Sequence, residues 1–447
     1  MSLHPKPRDL DAVRTDDPVA LSSRVIDQGE AREPTNRVTN TLAEIADDVA
    51  LVESFSHMVV FRTGDGLVSF DASGEQSGVA VMEALRGWSR DPVHSLVYTH
   101  GHVDHVGGSG AVIADAESHG HRRPQVVGHE NVPPRMQRYI DTNGWNMLIN
   151  ARQFGGISKR HGLEVGAELK FLAPDAAWPD VTYADHLNLC VGGLDIELHH
   201  GKGETDDHTW AWIPQHKALC VGDLAVWVFP NAGNPQKVQR YPAEWARVLR
   251  TMLAYDAELL LPAHGLPIVG RDRIHRVLSD VAGALEGLVQ DTVQMMNEGA
   301  TLDEIIHTVR VPADKLALPW MLPVYDEPEF VVRNIWRRYG GWWDAAPANL
   351  KPAPQHQLAA ELASLAGGAA ALAARAADIA EGGDFRLACH LIDFAGAAAP
   401  DDPAVHQIRS DIYFARRADE LSLMSKGIYA AAARESREVA ARADTDG

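Results

Sequence analysis

The chain has 447 residues, 45% of them apolar and 23% charged, and its 41 basic and 61 acidic side chains give a formal net charge of −20. That length exceeds one ordinary core, so two or three domains are expected. A surface this acidic repels phosphate backbones and argues against a nuclease that must hold a polyanion, so no nucleic-acid partner is expected.

Residues 1–40 read as a polar N-terminal extension, rich in Asp, Arg and Pro and without an apolar signal core. No run of about 18 apolar residues occurs, so no membrane span is expected. Cys190, Cys220 and Cys389 stand far apart in no paired spacing. Neither a disulfide framework nor a thiolate metal knot is therefore expected, and a reducing cytoplasm is the predicted setting.

From about Thr41 short strands begin: Val49–Val52, then Met58–Arg62, a turn at Gly64-Asp65-Gly66, and Leu67–Asp71. Two β-rich runs joined by a short Asp-Gly loop predict a hairpin. Gly78–Trp88 carries Val79, Val81, Met82 and Leu85 at helical spacing. The apolar run Ser95–Tyr98 follows and leads into Thr99-His100-Gly101-His102-Val103-Asp104-His105-Val106-Gly107-Gly108. Three imidazoles and a carboxylate within six residues suit one or two borderline cations. A strand that ends in His-x-His would send both rings to one side, because strand side chains alternate. Strand–helix–strand alternation continues through Ala111–Ala116 and Gln125–Gly128, an α/β pattern with ligands at strand ends.

Glu130–Gly166 has weak periodicity and reads as an insertion folding over the site mouth, with Tyr139 and Trp145 lining a pocket or packing the insertion onto the sheet. His129 follows a strand but stands alone, and is left outside the metal set. Further on, Leu194–His200 is an alternating strand that ends in a Gly-rich turn carrying Glu204, Asp207 and His208, and a second strand starts at Thr209. Ala218–Val226 is an apolar strand interrupted by Asp223, a carboxylate that needs a cation or donors if buried. Leu259–Pro262 closes on Ala263-His264-Gly265.

The His-x-His-x-Asp-His run at 100–105 resembles the signature of the metallo-β-lactamase superfamily, which implies an αββα sandwich. In that superfamily the turn after the long strand gives the first metal a third histidine in a Gly-His-Thr context. Gly203-Glu204-Thr205 stands there instead, as in the alkylsulfatase branch, with Asp207 and His208 as competing candidates. The resemblance implies one metal held by His100, His102 and Glu204, a second held by Asp104, His105 and His264, and Asp223 with a solvent oxygen between them. Two zinc ions are expected, with iron or manganese suited to the same donors. Asp104 and Asp223 are the carboxylates expected to matter most for catalysis. A water held by two divalent ions loses its proton near neutral pH, so the resemblance implies a hydroxide that attacks a small-molecule ester.

For the substrate, Pro230–Tyr241 supplies Asn231, Asn234, Lys237 and Arg240 as counterparts of the residues that clasp sulfate in alkylsulfatases, with His208 touching substrate or standing behind the ligands. The arginine–glycine pair of that family is not at its place; Pro235-Gln236 stands near it. An alkyl sulfate is one expected substrate. A carboxylic ester, lactone or activated ether is the alternative, and an iron-dependent redox enzyme or a metal-free scaffold are other classes.

After Gly270 the sequence turns helical. Ile274–Asn297 and Leu302–Val309 carry apolar residues at i+3 and i+4, and Leu316–Trp343 adds Trp320, Tyr325, Phe330, Trp336, Tyr339, Trp342 and Trp343, read either as a clamp over substrate or as packing. The predicted organisation is a catalytic domain over 41–275, a helical and aromatic connection over 276–350, and an α-helical domain over 351–447. The Ala-rich helices after Lys351-Pro352-Ala353-Pro354, broken at Gly382-Gly383-Asp384 and Ala399–Pro403, resemble the tetratricopeptide-like dimerisation region of alkylsulfatases. That resemblance implies a homodimer through the C-terminal helices, without the further sterol-carrier-like domain with which such proteins commonly continue.

Overall fold

The computed structural model describes residues 17–154 and 170–442, so the insertion expected over 130–166 lies outside the described residues beyond Phe154. Two sheets face each other. The first holds β1 (Thr41–Ala46), β2 (Val49–Glu53), β3 (Met58–Thr63), β4 (Gly66–Phe70), β5 (Val93–Val97), β6 (Gln125–His129) and β7 (Val181–Tyr183) in chain order. Its first four strands pair antiparallel and β4 to β7 pair parallel. The second runs β13 (Ile268–Val269), β12 (Leu259–Pro262), β11 (Ala218–Gly222), β10 (Thr209–Ile213), β9 (Leu194–His200), β8 (His186–Val191), and only β11 and β12 pair parallel.

The period of two sorts each strand between layers. In β3, Val59 and Phe61 meet Cys220 and Leu261 in the core between the sheets, while Met58 and Val60 face the helices outside. In β11, Ala218 and Cys220 point inward, and Leu219 and Val221 outward. Helix Gly78–Trp88 covers the first sheet with Val81, Met82 and Leu85. Helices Pro242–Met252 and Arg271–Asn297 cover the second with Trp245, Leu249, Val277 and Leu285. The expected αββα sandwich is present.

Several elements differ from expectation for identifiable reasons. The N-terminal segment holds a helix, Pro18–Gln28: Asp17 accepts the Val19 and Ala20 N–H groups, Pro18 starts it, and Leu21, Val25 and Ile26 pack onto the second sheet. The weakly periodic stretch after Glu130 forms two helices, Val132–Asp141 and Asn143–Gln153. The strand expected through Val226 ends at Gly222, whose φ of 51° turns the chain out of the sheet. The tryptophans of 316–343 divide: Trp320 and Trp336 are buried in the layer over the second sheet and Trp342 is exposed, so packing accounts for the two buried ones and only Tyr325 of that aromatic group reaches the cavity described below.

Beyond Pro354 come helices Gln355–Leu365, Ala369–Glu381, Phe385–Ala398, Pro403–Asp419 and Leu423–Arg442, with a core of small residues including Ala373, Ala376, Ala388 and Ala395. Among the described residues no single helix is long and apolar enough to cross a membrane.

Candidate metal centre

The site gathers at the ends of β5, β11 and β12 and in the loop from β9 to β10, where open α/β sheets place their ligands. β5 stops at Val97, so His100 and His102 sit beyond the strand and the alternation argument does not orient them. Two buried carboxylates orient them instead. Asp71, at the end of β4 and with φ of 58°, accepts the Thr99 N–H at 2.7 Å and the Thr99 hydroxyl at 2.6 Å. Asp207 accepts the Gly101 N–H at 2.9 Å between the two histidines. Asp207 is in turn held by the Arg135 Nε at 2.8 Å, and Arg135 also pairs with Asp206. Asp71 and Arg135 were not expected as site residues. The signal for Asp71 was present, a single acid closing a buried apolar strand as at Asp223.

His100 Nε2 and His102 Nδ1 converge to 2.8 Å, and His100 Nε2 lies 3.7 Å from Asp223 Oδ2. His105 Nε2 lies 3.6 Å from Asp104 Oδ2 and 3.4 Å from Asp223 Oδ1. His264 Nε2 stands 3.4 Å from Asp104 Oδ2 and 3.5 Å from Asp223 Oδ1. The donors thus form two clusters, His100–His102–Asp223 and Asp104–His105–His264, and Asp223 reaches toward both. His105 Nε2 and Asp223 Oδ1 are buried without a hydrogen-bond partner. Buried polar atoms are rarely left so, and a cation between these donors would satisfy both.

The opposite nitrogens are committed elsewhere. His105 Nδ1 is 2.8 Å from Asp71 Oδ2, and His264 Nδ1 meets the Phe55 carbonyl. Such partners fix the tautomer and ring plane of a metal-ligating histidine. Burial holds His100 and His102 well below the ordinary imidazole value, joined by His105 for the first and Arg240 for the second, and so leaves them neutral. For His105 burial acts the same way, yet Asp223, Asp104 and Asp71 outweigh it and raise the proton affinity.

Glu204 is beside the first cluster and not within it. Its Oε1 is 3.7 Å from His102 Nδ1, accepts Asn231 Nδ2 at 2.5 Å and lies 3.2 Å from Arg240 Nη2. The two competitors are occupied otherwise: Asp207 as described, and His208 with Nε2 accepting the Asp223 N–H at 3.1 Å behind His100. His208 is fully buried and does not line the cavity described below. A Cβ at Gly222 would lie 2.7 Å from the Thr99 Cβ and 2.8 Å from His208, so only glycine lets β11 deliver Asp223 here. His129 stacks on His200 and belongs to neither cluster.

A cavity of about 660 Å³ opens over His102, Asp104, Glu204, Asp223 and His264. Asn231, Asn234, Lys237, Arg240, Tyr139 and Trp145 all line it, with Phe55, Ile149, Phe154, Phe171 and Tyr325. Asn234 donates to Gln153 Oε1 at 3.3 Å, and Lys237 Nζ donates to Asn150 at 3.1 Å. Burial, aided by Arg240, brings the Lys237 ammonium down to about 8.

Residues 51–264 match the metallo-beta-lactamase superfamily, and residues 301–439 match the alkyl sulfatase dimerisation family. A linear primary-alkylsulfatase of a Pseudomonas species is 26% identical over 80% of this chain and 68% of its own length. The alkyl/aryl-sulfatase BDS1 of Saccharomyces cerevisiae is 23% identical over 83% of this chain and 60% of its own. An (R)-specific secondary-alkylsulfatase of Pseudomonas is 24% identical, and this chain spans 56% of its length. The solved structure of the stereoselective inverting sec-alkylsulfatase Pisa1 from Pseudomonas superposes with a TM-score of 0.80 at 22% identity, over 96% of this chain and 69% of that one.

Proposed function

From a chain that joins a metallo-β-lactamase domain to an alkylsulfatase dimerisation domain, and so stands in the alkylsulfatase-like branch as a metal-dependent hydrolase, we propose a hydrolase that cleaves the sulfate ester of an apolar alcohol at two neighbouring metal ions. The observation that carries this reading is the pair of donor clusters meeting at Asp223 on the floor of a cavity with apolar walls. His100, His102 and one oxygen of Asp223 would hold the first ion, with Glu204 beside them. Asp104, His105, His264 and the other oxygen would hold the second. Imidazole and carboxylate donors in these numbers suit zinc, and also iron or manganese. When bound, such ions supply Lewis acidity, lowering the pKa of water and drawing charge from the ester group.

The chain's own residues bind and orient. Arg240 lines the cavity beside Glu204 and brings a guanidinium, a charged donor for a sulfate, to the site. Asn231 and Lys237 add a neutral and a cationic donor on the same wall. His100 and His102, kept neutral by burial, present lone pairs rather than protons. Phe55, Trp145, Phe171 and their neighbours would receive the alcohol part and exclude water from the reacting group. The dimerisation domain supports assembly through the C-terminal helices, and a homodimer is the proposed state.

Metal analysis of protein purified without added ions tests the binuclear reading. Two equivalents of zinc per chain are expected. One equivalent, or iron accompanied by a redox activity, contradicts it.

A further inference from the structure

The large apolar side chains left exposed in this molecule are not scattered evenly. Phe55, Trp145, Phe154, Val238, Val324 and Leu423 each expose 39% or more of their surface, and all six line the cavity above the metal cluster. A contiguous apolar surface of this kind marks a binding site. Leu423 is the outlier in origin, because it opens the last helix of the C-terminal helical domain, far along the chain from the sandwich.

That helix is fastened to the cavity wall. The Leu423 N–H donates to the Val324 carbonyl at 2.8 Å, and the Ser422 hydroxyl donates to the Tyr325 carbonyl at 2.7 Å. The Ser425 hydroxyl donates to Glu327 Oε1 at 2.7 Å. One turn on, a Cβ at Gly427 would fall 1.7 Å from the Gln153 carbonyl oxygen, so the helix rests directly on helix Asn143–Gln153. Gln153 extends the connection inward: its Nε2 donates to the Tyr325 hydroxyl at 2.7 Å and its Oε1 accepts Asn234. Leu423 is thus held at a fixed position rather than left on a mobile tip.

We propose that the helical domain, beyond its part in assembly, forms one wall of the substrate cavity, and that Leu423 sets how long an apolar chain the site accepts. The inference rests on the reading of the substrate as an ester of an apolar alcohol. A side chain at the mouth meets only the distal carbons of a long substrate, whereas a short one ends before reaching it. Enlarging Leu423 should therefore penalise long chains alone, and trimming it should favour them.

The test compares the wild type with Leu423→Trp and Leu423→Ala on n-alkyl sulfates from butyl to decyl. In parallel, n-alcohols of the same lengths displace the fluorescent probe 1-anilinonaphthalene-8-sulfonate. Leu423→Trp should lower kcat/KM for decyl sulfate by about tenfold or more and leave butyl sulfate within about twofold, since each methylene in an apolar pocket counts separately. Leu423→Ala should move the optimum toward longer chains. Decanol should lose affinity for the Trp variant while butanol does not. If the wild type cleaves no alkyl sulfate, the substrate reading fails, and the alcohol arm still judges the wall. Equal effects at every length, or no effect of either substitution in both assays, would overturn the proposal.

Discussion

Asp71 Oδ2 stands 2.8 Å from His105 Nδ1 and 2.6 Å from the Thr99 hydroxyl, both beneath the metal-ligand loop. One buried carboxylate therefore orients the ring of His105 and anchors the backbone that carries His100. Asp71→Asn keeps the shape, and Asn tolerates the positive φ found there. It removes the charge that favours the ligating tautomer. Metal affinity at the second cluster should fall about 10- to 100-fold, with the circular-dichroism spectrum unchanged. Titration with zinc against a competing chelator measures this, and an unaltered affinity would show that Asp71 serves folding alone.

Glu204 faces two demands, since it lies 3.7 Å from His102 and is also held by Asn231 and Arg240. Were Glu204 to complete the first metal site, Glu204→Ala would lower the metal content below that of the wild type. Elemental analysis of the variant distinguishes the roles. Full stoichiometry with impaired turnover would assign Glu204 to the placement of Arg240 and Asn231 instead.

Gly222 at φ 51° sits against Thr99 and His208. Gly222→Ala combines left-handed strain, of order 1–3 kcal/mol, with contacts shorter than carbon atoms accept. The thermal midpoint should drop and metal loading should drop with it, because the displaced strand end carries Asp223. A midpoint equal to that of the wild type would contradict this reading of the turn.

Lys237 should make substrate binding pH-dependent. Burial first, and then Arg240, lower its ammonium to about 8, so it is charged below that pH and neutral above it. An anionic sulfate gains from the charged form only. KM for an alkyl sulfate should rise as the pH passes from 7 to 9, and Lys237→Gln should show a KM raised about tenfold at pH 7 and flat over that interval. An unchanged slope in the variant would place the titration elsewhere.

Local patterns were the legible part of this molecule. The ligand run at 100–105, Asp223 and His264 each follow an apolar strand, and the helix Gly78–Trp88 has the bounds its spacing predicts. What sequence spacing does not show is who holds whom across the chain. Arg135 reaches Asp207 from helix Val132–Asp141, and Leu423 reaches the cavity from the last helix. The turn at Glu204 was ambiguous for the same reason: three acceptors crowd it, and only their partners separate Glu204, which faces His102, from Asp207 and His208, which support the loop from behind.

On the proposed reading, the clusters meeting at Asp223 work on a sulfate ester. Release of inorganic sulfate from n-alkyl sulfates, measured on protein of known metal content with Asp223→Ala as control, tests it most directly. Sulfate release should scale with bound metal, be abolished by chelation and disappear in the folded Asp223→Ala variant. Fully metal-loaded protein that cleaves carboxylic or aryl esters yet frees no sulfate at any chain length would contradict it.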